Sequence, residues 1–335
     1  MPCFRIKIKD NRSIMSKIKI VHNFFAIFEL ILIIFLSFAS YLAQGVNTTK
    51  TVFIPKGGIG EIISYLGKVN PNINYPVDKY ILFLFGKPQA GWIDIGKTYL
   101  SKGDFLYRLT KAKVATKGVI IYPGETTEFI LKMLSKELNL SHEKLLEIYA
   151  RKADLKDGLI IPETYSIPIG INEERLISYL LNVSKISHSK ISMGIFKNYD
   201  TKRWKRYLII ASIIQKEAGN EEEMPLVSSV IYNRLKKGMR LQMDGALNYG
   251  KYSHTAITPQ RIEEDDTRFN TYKYAGLPPY PICVVSKEAI NAAIFPKKSD
   301  FLYFMRDKSS KNNGHVFTKT FKAHKKEINR QRRMK

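Results

Sequence analysis

Residues 24–43 read FFAIFELILIIFLSFASYLA, and few folds can accommodate such a run. A helix of about 20 residues spans roughly 30 Å, the thickness of a bilayer's hydrocarbon core. The single acid, Glu29, lies near the start, where a charge costs less than at the bilayer centre. Arg5, Lys7, Lys9, Arg12, Lys17 and Lys19 precede the run. The positive-inside rule therefore assigns residues 1–20 to the cytoplasm, 21–43 to the span and the remainder to the outer side. A cleavable signal peptide is the rival reading, with Ser37-Phe38-Ala39 as its small-residue site. The run is longer than the usual signal core of about 7–15 residues, which favours an uncleaved anchor. No lipid-attachment cysteine follows the run. The two cysteines, Cys3 and Cys283, fall on opposite sides of the membrane and cannot pair within one chain.

This topology decides how the charge is read. Lys and Arg number 54 against 30 Asp and Glu, a net +24, which calls for an anionic partner. With most of the chain outside, anionic lipid and cell-wall polymer are the expected counter-ions, and nucleic acid is not. The charge is spread thinly except in Lys319–Lys335, where eight basic residues meet one acid. That tail reads as a solvated basic helix end. At 335 residues and 44% hydrophobic content, two or three domains with cores are expected.

Residues 44–125 read as a small mixed domain. TVFIPKGGIGEIISYL gives a strand, a glycine-containing turn and a helix with Ile59, Ile62, Ile63 and Leu66 on one side. Val119, Ile120 and Ile121 form a second short strand and Pro123-Gly124 a turn. Thr126 or Thr127 then caps a helix whose apolar face holds Phe129, Ile130, Met133 and Leu134. Residues 126–200 form a connecting helical region, and 201–335 a further domain.

In WKRYLIIASIIQKEAGN, residues 204–220, a helix carries Ile210, Ile213, Ile214 and Glu217 at spacings of three and four, and Gly219 or Asn220 ends it. Asn220 can cap the next helix, with Glu223 completing a capping-box pattern and Glu221 and Glu222 at its positive end. Those three acids have a structural explanation as a helix start. Glu217 has none. It closes an apolar stripe at a corner, where desolvation raises a carboxylate's pKa towards the range a general acid needs. The competing reading is an acid leaning into solvent. In RLQMDGALNYG, alternation places Gln242 and Asp244 on one side of a strand.

Several stretches keep a specific order over about 120 residues. They are ASIIQKE, NRLKKGMRLQMDGALNYG, TRFNTYKYAGLPPYPI and SDFLYFMRDKSSKNNGHVFTKTFKAH. Together they resemble the endolytic murein transglycosylase (YceG-like) family, closely over residues 205–325. GLIIPETYSI, residues 158–167, is similar to that family's Gly…Pro-Asp-Thr-Tyr segment, with Glu163 in place of Asp. Two departures affect one loop: Tyr280 stands where the family usually carries Gly, and CVVS replaces an Asn-Pro-Gly-like turn.

The resemblance implies an α+β fold comprising an N-terminal transmembrane helix, a small LysM-like domain in residues 44–125 and a mixed YceG-like catalytic domain. It implies internal cleavage of peptidoglycan glycan strands near the cell membrane, beside the peptidoglycan synthases, with 1,6-anhydro-MurNAc ends as products. Glu217 matches the catalytic glutamate. An ordinary glycosidase needs two carboxylates about 5–9.5 Å apart. This lyase reaction needs one, because the sugar's own C6 hydroxyl attacks the anomeric carbon. Substrate-binding positions carried over are Gln242, Asp244, Asn270, Tyr272, Glu163 and Tyr165. A polar strand face or a loop-holding role competes for several of them. His254, His315 and His324 match no metal-ligand spacing, and no metal or other cofactor is expected. The alternatives are a catalytically silent, membrane-tethered peptidoglycan-binding or division scaffold, and a muramidase-type hydrolase.

Overall fold

A computed structural model describes residues 11–334, so Cys3, Arg5, Lys7 and Lys9 lie outside the described residues. The apolar run forms part of α1 (Asn11–Ala43), whose stretch from Met15 to Ala43 is long and apolar enough to span a bilayer. Phe24, Ile31 and Phe35 are all exposed on it. A stretch of helix that is apolar all round and stands free of the core until its last turn suits lipid, not water.

The chain divides into two units between Ala115 and Thr116. In the first, α1 leads into β1 (Gly45–Asn47) and β2 (Thr51–Ile54), followed by α2 (Ile59–Val69) and α3 (Tyr75–Phe85). β3 (Gly91–Asp94), β4 (Tyr99–Ser101) and α4 (Lys102–Lys111) complete it. β1 pairs antiparallel with β4, and β2 with β3. Alternation along β2 sends Val52 and Ile54 inward and turns Phe53 out. Ile62, Ile63 and Leu66 of α2 close over them, as the three- and four-residue spacing predicts.

The second unit begins with β5 (Thr116–Ile120), α5 (Thr127–Leu138), α6 (His142–Lys152), β6 (Thr164–Pro168) and α7 (Glu173–Phe196). β5 and β6 pair antiparallel, with Val119 opposite Tyr165. Thr126 caps α5 by accepting the Phe129 N–H. Ile130, Leu134, Leu145, Leu176 and Leu180 fill the core beneath, joined by Val284 from far along the chain.

α8 (Thr201–Glu217) is the axle of the rest. Ile209 through Ile214 are buried on every side of it, which explains an apolar run too continuous for a surface helix. Around it lie a 3-10 turn at Glu221–Glu223, α9 (Met224–Lys236), the short α10 (Asp244–Leu247), α11 (Pro259–Glu264) and α12 (Lys287–Ile294). β7 (Tyr303–Arg306) and β8 (His315–Thr318) form an antiparallel hairpin, followed by α13 (Phe321–Arg333). The basic tail is not simply solvated: Gln331 is buried and accepts the Lys308 N–H, and His324 stacks on Tyr303.

Three local expectations are corrected. α8 stops at Glu217 with an extended Ala218 as its cap, before Gly219. Gly219 is needed for close approach instead, because a Cβ there would overlap the Asn313 carbonyl. Asn220 does cap the next turn, accepting the Glu223 N–H, but the Glu223 carboxylate does not return to Asn220. It accepts from the Gly219 N–H at 2.6 Å. Finally, residues 239–243 are not a strand. Gln242 takes a left-handed conformation (φ 51°), and Asp244 begins α10.

Candidate active site

The end of α8 delivers Glu217 to a corner walled by α10. Glu217 is half-buried, and its Oε1 accepts the Gly245 N–H at 2.7 Å. Gly245 has to lack a side chain: a Cβ would stand 2.5 Å from the Lys216 Cβ and 3.1 Å from Glu217 Oε1. Desolvation raises the Glu217 pKa from 4.5 to about 7, the Gly245 N–H opposes it, and the Asp244 charge adds to it. The positive charges of Arg234 and Lys216 pull it down by less. A carboxylic acid that keeps its proton to about neutral pH can give that proton up and take it back in one turnover.

Asp244 and Tyr272 are brought to the same place. Gln242 N donates to Thr271 O at 3.0 Å, Met243 N donates to Thr271 Oγ1 at 3.0 Å, and that hydroxyl donates back to Met243 O. This zipper sets Tyr272 Oη 2.5 Å from Asp244 Oδ1, so the phenol donates to the carboxylate. Asp244 is exposed and Tyr272 half-buried. Burial, together with the Asp244 bond and charge, pushes the phenol's pKa up, so it remains a donor. Gln242 is exposed, its Oε1 3.4 Å from Arg234 Nη1.

The remaining candidates have their polar atoms engaged by other partners. Asn270 is fully buried, and its amide is spent inside its own loop. Nδ2 donates to the Ile262 and Asp265 carbonyls, while Oδ1 accepts from the Tyr272 and Lys273 N–H groups. It shapes the loop that presents Tyr272. Tyr165 is a core residue, 3% exposed, whose hydroxyl donates to Ile161 O at 2.7 Å. Glu163 sits beside it in sequence and pairs with Lys287 at 3.2 Å. None of these three is held against Glu217.

Two further features escaped the reading of the sequence. Arg234, buried on α9, donates to Leu302 O and Leu241 O, both at 2.6 Å, and its charge reaches Glu217. It continues the apolar stripe of Val227, Val230 and Ile231 at helical spacing, and an arginine in that stripe was the available signal. Glu223 accepts from both the backbone N–H of His315 (2.8 Å) and its ring Nδ1 (2.6 Å), across 92 residues. Nothing local announces that pair. Tyr280, the departure noted in the loop, packs against Phe269 (4.9 Å between ring centroids) and Tyr249 (5.7 Å). No cluster of three or more His, Cys, Asp or Glu suited to a metal occurs among the described residues.

Comparison with known proteins bears on the whole arrangement. The profile of the YceG-like family matches residues 67–330, well over half of the chain. Over 122 residues the chain is 41% identical to the endolytic murein transglycosylase of Bacillus subtilis (strain 168), covering 36% of this chain and 33% of that protein. A protein of the same name from Streptococcus pneumoniae serotype 2 (strain D39 / NCTC 7466) is 33% identical over 161 residues, 45% of this chain and 28% of that one. The matched stretch thus spans about a third of those relatives' own lengths. A crystal structure of a YceG-like protein from Listeria monocytogenes superposes with a TM-score of 0.54 at 25% identity, covering 82% of this chain and 97% of that one. By sequence and by fold, the chain belongs to the YceG-like family.

Proposed function

We propose that this protein is an endolytic lytic transglycosylase that cuts the MurNAc–GlcNAc bonds of nascent peptidoglycan and leaves 1,6-anhydro-MurNAc ends. The observation that carries the reading is Glu217, an acid holding its proton to about pH 7 beside a single backbone donor. The Gly245 N–H occupies Oε1, which leaves Oε2 to present the proton. Glu217 protonates the bridging oxygen as the bond from the MurNAc anomeric carbon breaks. The resulting carboxylate then takes the proton of the C6 hydroxyl on the same sugar, whose oxygen closes onto that carbon. Glu217 ends protonated, and no water is consumed. The Arg234 charge favours the carboxylate during the interval in which it exists. Asp244, Tyr272 and Gln242 offer a carboxylate, a phenol and an amide to the sugar's hydroxyl and acetamido groups.

The finer setting follows from the same reading. α1 anchors the chain in the cell membrane with the second unit outside, so cleavage falls where new strands emerge, beside peptidoglycan synthases. The strand–helix–helix–strand order of β2, α2, α3 and β3, with the outer strands paired, supports a LysM-like first unit.

The test incubates the full-length protein in detergent with isolated peptidoglycan and identifies the released glycans by mass spectrometry. Anhydro-MurNAc ends that vanish with Glu217→Gln are expected. Products one water heavier would replace the lyase with a hydrolase, and binding without release would leave a tethered scaffold.

A further inference from the structure

Helix α3 (YPVDKYILFLF) is apolar on almost every side, yet only one side is covered. Asp78, Ile81 and Leu82 face the core and are buried. On the opposite side Val77 is 41%, Tyr80 68%, Phe83 71% and Leu84 81% exposed. At 100° per residue these four form one continuous face, which in water would be an exposed apolar patch. Such a helix belongs in a core or in contact with lipid.

Its position says which. The last turn of α1 is clamped to α3. Tyr41 Oη donates to Asp78 Oδ1 at 2.9 Å, and the Lys102 ammonium lies 3.6 Å from the Tyr41 ring centroid and 3.8 Å from Asp78 Oδ2. Asp78 and Lys102 are both buried, so the clamp is part of the first unit's core. Leu42 packs over Gly103, where a Cβ would stand 3.4 Å from the Leu42 Cβ. The first turn of α3 is therefore held within one tyrosine side chain of the point where the span ends.

We infer that α3 lies in the headgroup layer of the bilayer that α1 spans, with its Val77–Tyr80–Phe83–Leu84 face against the acyl boundary. The inference rests on α1 being a membrane span. The apolar phase entered by α1 continues beneath α3, so one bilayer covers both surfaces. Tyr80 brings a ring with a polar tip, the side-chain type suited to the interface. Lys79 on the helix and Lys87 just beyond it flank the face with charges that match anionic phosphates. The first unit thereby acquires two attachments to the membrane, which together set its orientation to the bilayer plane.

Site-directed spin labelling tests this on the full-length protein in vesicles of phosphatidylethanolamine and phosphatidylglycerol. The background is Cys3→Ser, with the buried Cys283 retained. Labels are placed singly at Leu84→Cys, at Phe28→Cys within α1 and at the exposed, polar Lys56→Cys. Collisions with oxygen, which concentrates in lipid, are compared with collisions with a water-soluble nickel chelate. The expected result is an oxygen-to-nickel ratio at Leu84 several-fold above that at Lys56 and close to that at Phe28. A lipid-like Phe28 with a water-like Leu84 overturns the inference and leaves the span standing. A water-like Phe28 overturns the span and the inference together. A Leu84 label shielded from both reagents overturns it in favour of a protein partner or a second copy. Val77→Cys repeats the measurement about two helical turns earlier on the same face and should agree with Leu84.

Discussion

Glu217 and Glu223 stand on either side of one corner, six positions apart in a basic chain. The first ends α8 and accepts a single backbone N–H, from Gly245. The second opens the following turn and accepts three donors: the Gly219 N–H and the backbone and ring nitrogens of His315. Desolvation opposed by only one donor stabilises the proton on a carboxyl, which is the Glu217 case. The same amino acid is held by three bonds in one place and by one in the other, where we propose that it works as an exchangeable acid. Glu223 is the less exposed of the two, so surface exposure alone does not distinguish them, whereas their donor sets do.

Substitutions can break this contrast. The largest effect is expected from Glu217→Gln, which should lower the release of anhydro ends by about a thousandfold while the fold survives. Thermal unfolding of the same variant checks the buried acid independently. Folded Glu217 holds its proton to about pH 7, whereas its ordinary value is 4.5, so the folded state loses stability as pH rises through that window. Glutamine escapes this penalty. Glu217→Gln should therefore gain on the wild type at pH 8 and lose that gain at pH 4.

Glu223→Gln should reverse the pattern. Breaking its buried set of bonds should cost about 2–4 kcal/mol in urea unfolding, with turnover per folded molecule far less affected than in Glu217→Gln. Equal losses of activity in the two variants would abolish the contrast. A smaller effect is expected from Gly245→Ala. The added carbon crowds Lys216 and the Glu217 carboxyl, and loss of the oriented N–H should lower kcat about tenfold to a hundredfold with little change in KM. The finest test is Asp244→Asn, which removes a like charge from beside Glu217. The basic limb of the pH–rate profile should shift to lower pH, and a limb that stays put would show that Asp244 does not tune the acid.

Much of this was legible in sequence where a signal is local. The long apolar helix α1, the inward face of α2, the Thr126 cap and the apolar surround of Glu217 all follow from patterns within one continuous stretch. Alternation predicts Gln242 and Asp244 on one face of a strand, whereas a left-handed Gln242 and pairing to Thr271 send Asp244 to Tyr272 and the Gln242 amide towards Arg234. Asn270 and Tyr165 have the residue types of a sugar site, but their polar atoms are consumed by nearby backbone, which spacing cannot reveal. The Glu223–His315 pair lay beyond any local signal because its partners are 92 residues apart.

That separation has a consequence for timing. Gly219 meets the Asn313 backbone too closely for any side chain, Asn220 Nδ2 donates to Asn312 O, and Glu223 waits for His315. The corner that follows Glu217 is thus completed by residues made 92 positions after those they meet. During synthesis α8 can coil early, since helices need only their neighbours, but long-range contacts close late. Under the proposed function, a nascent chain that already carries Glu217 is still disarmed, because the hairpin that completes its corner has yet to emerge.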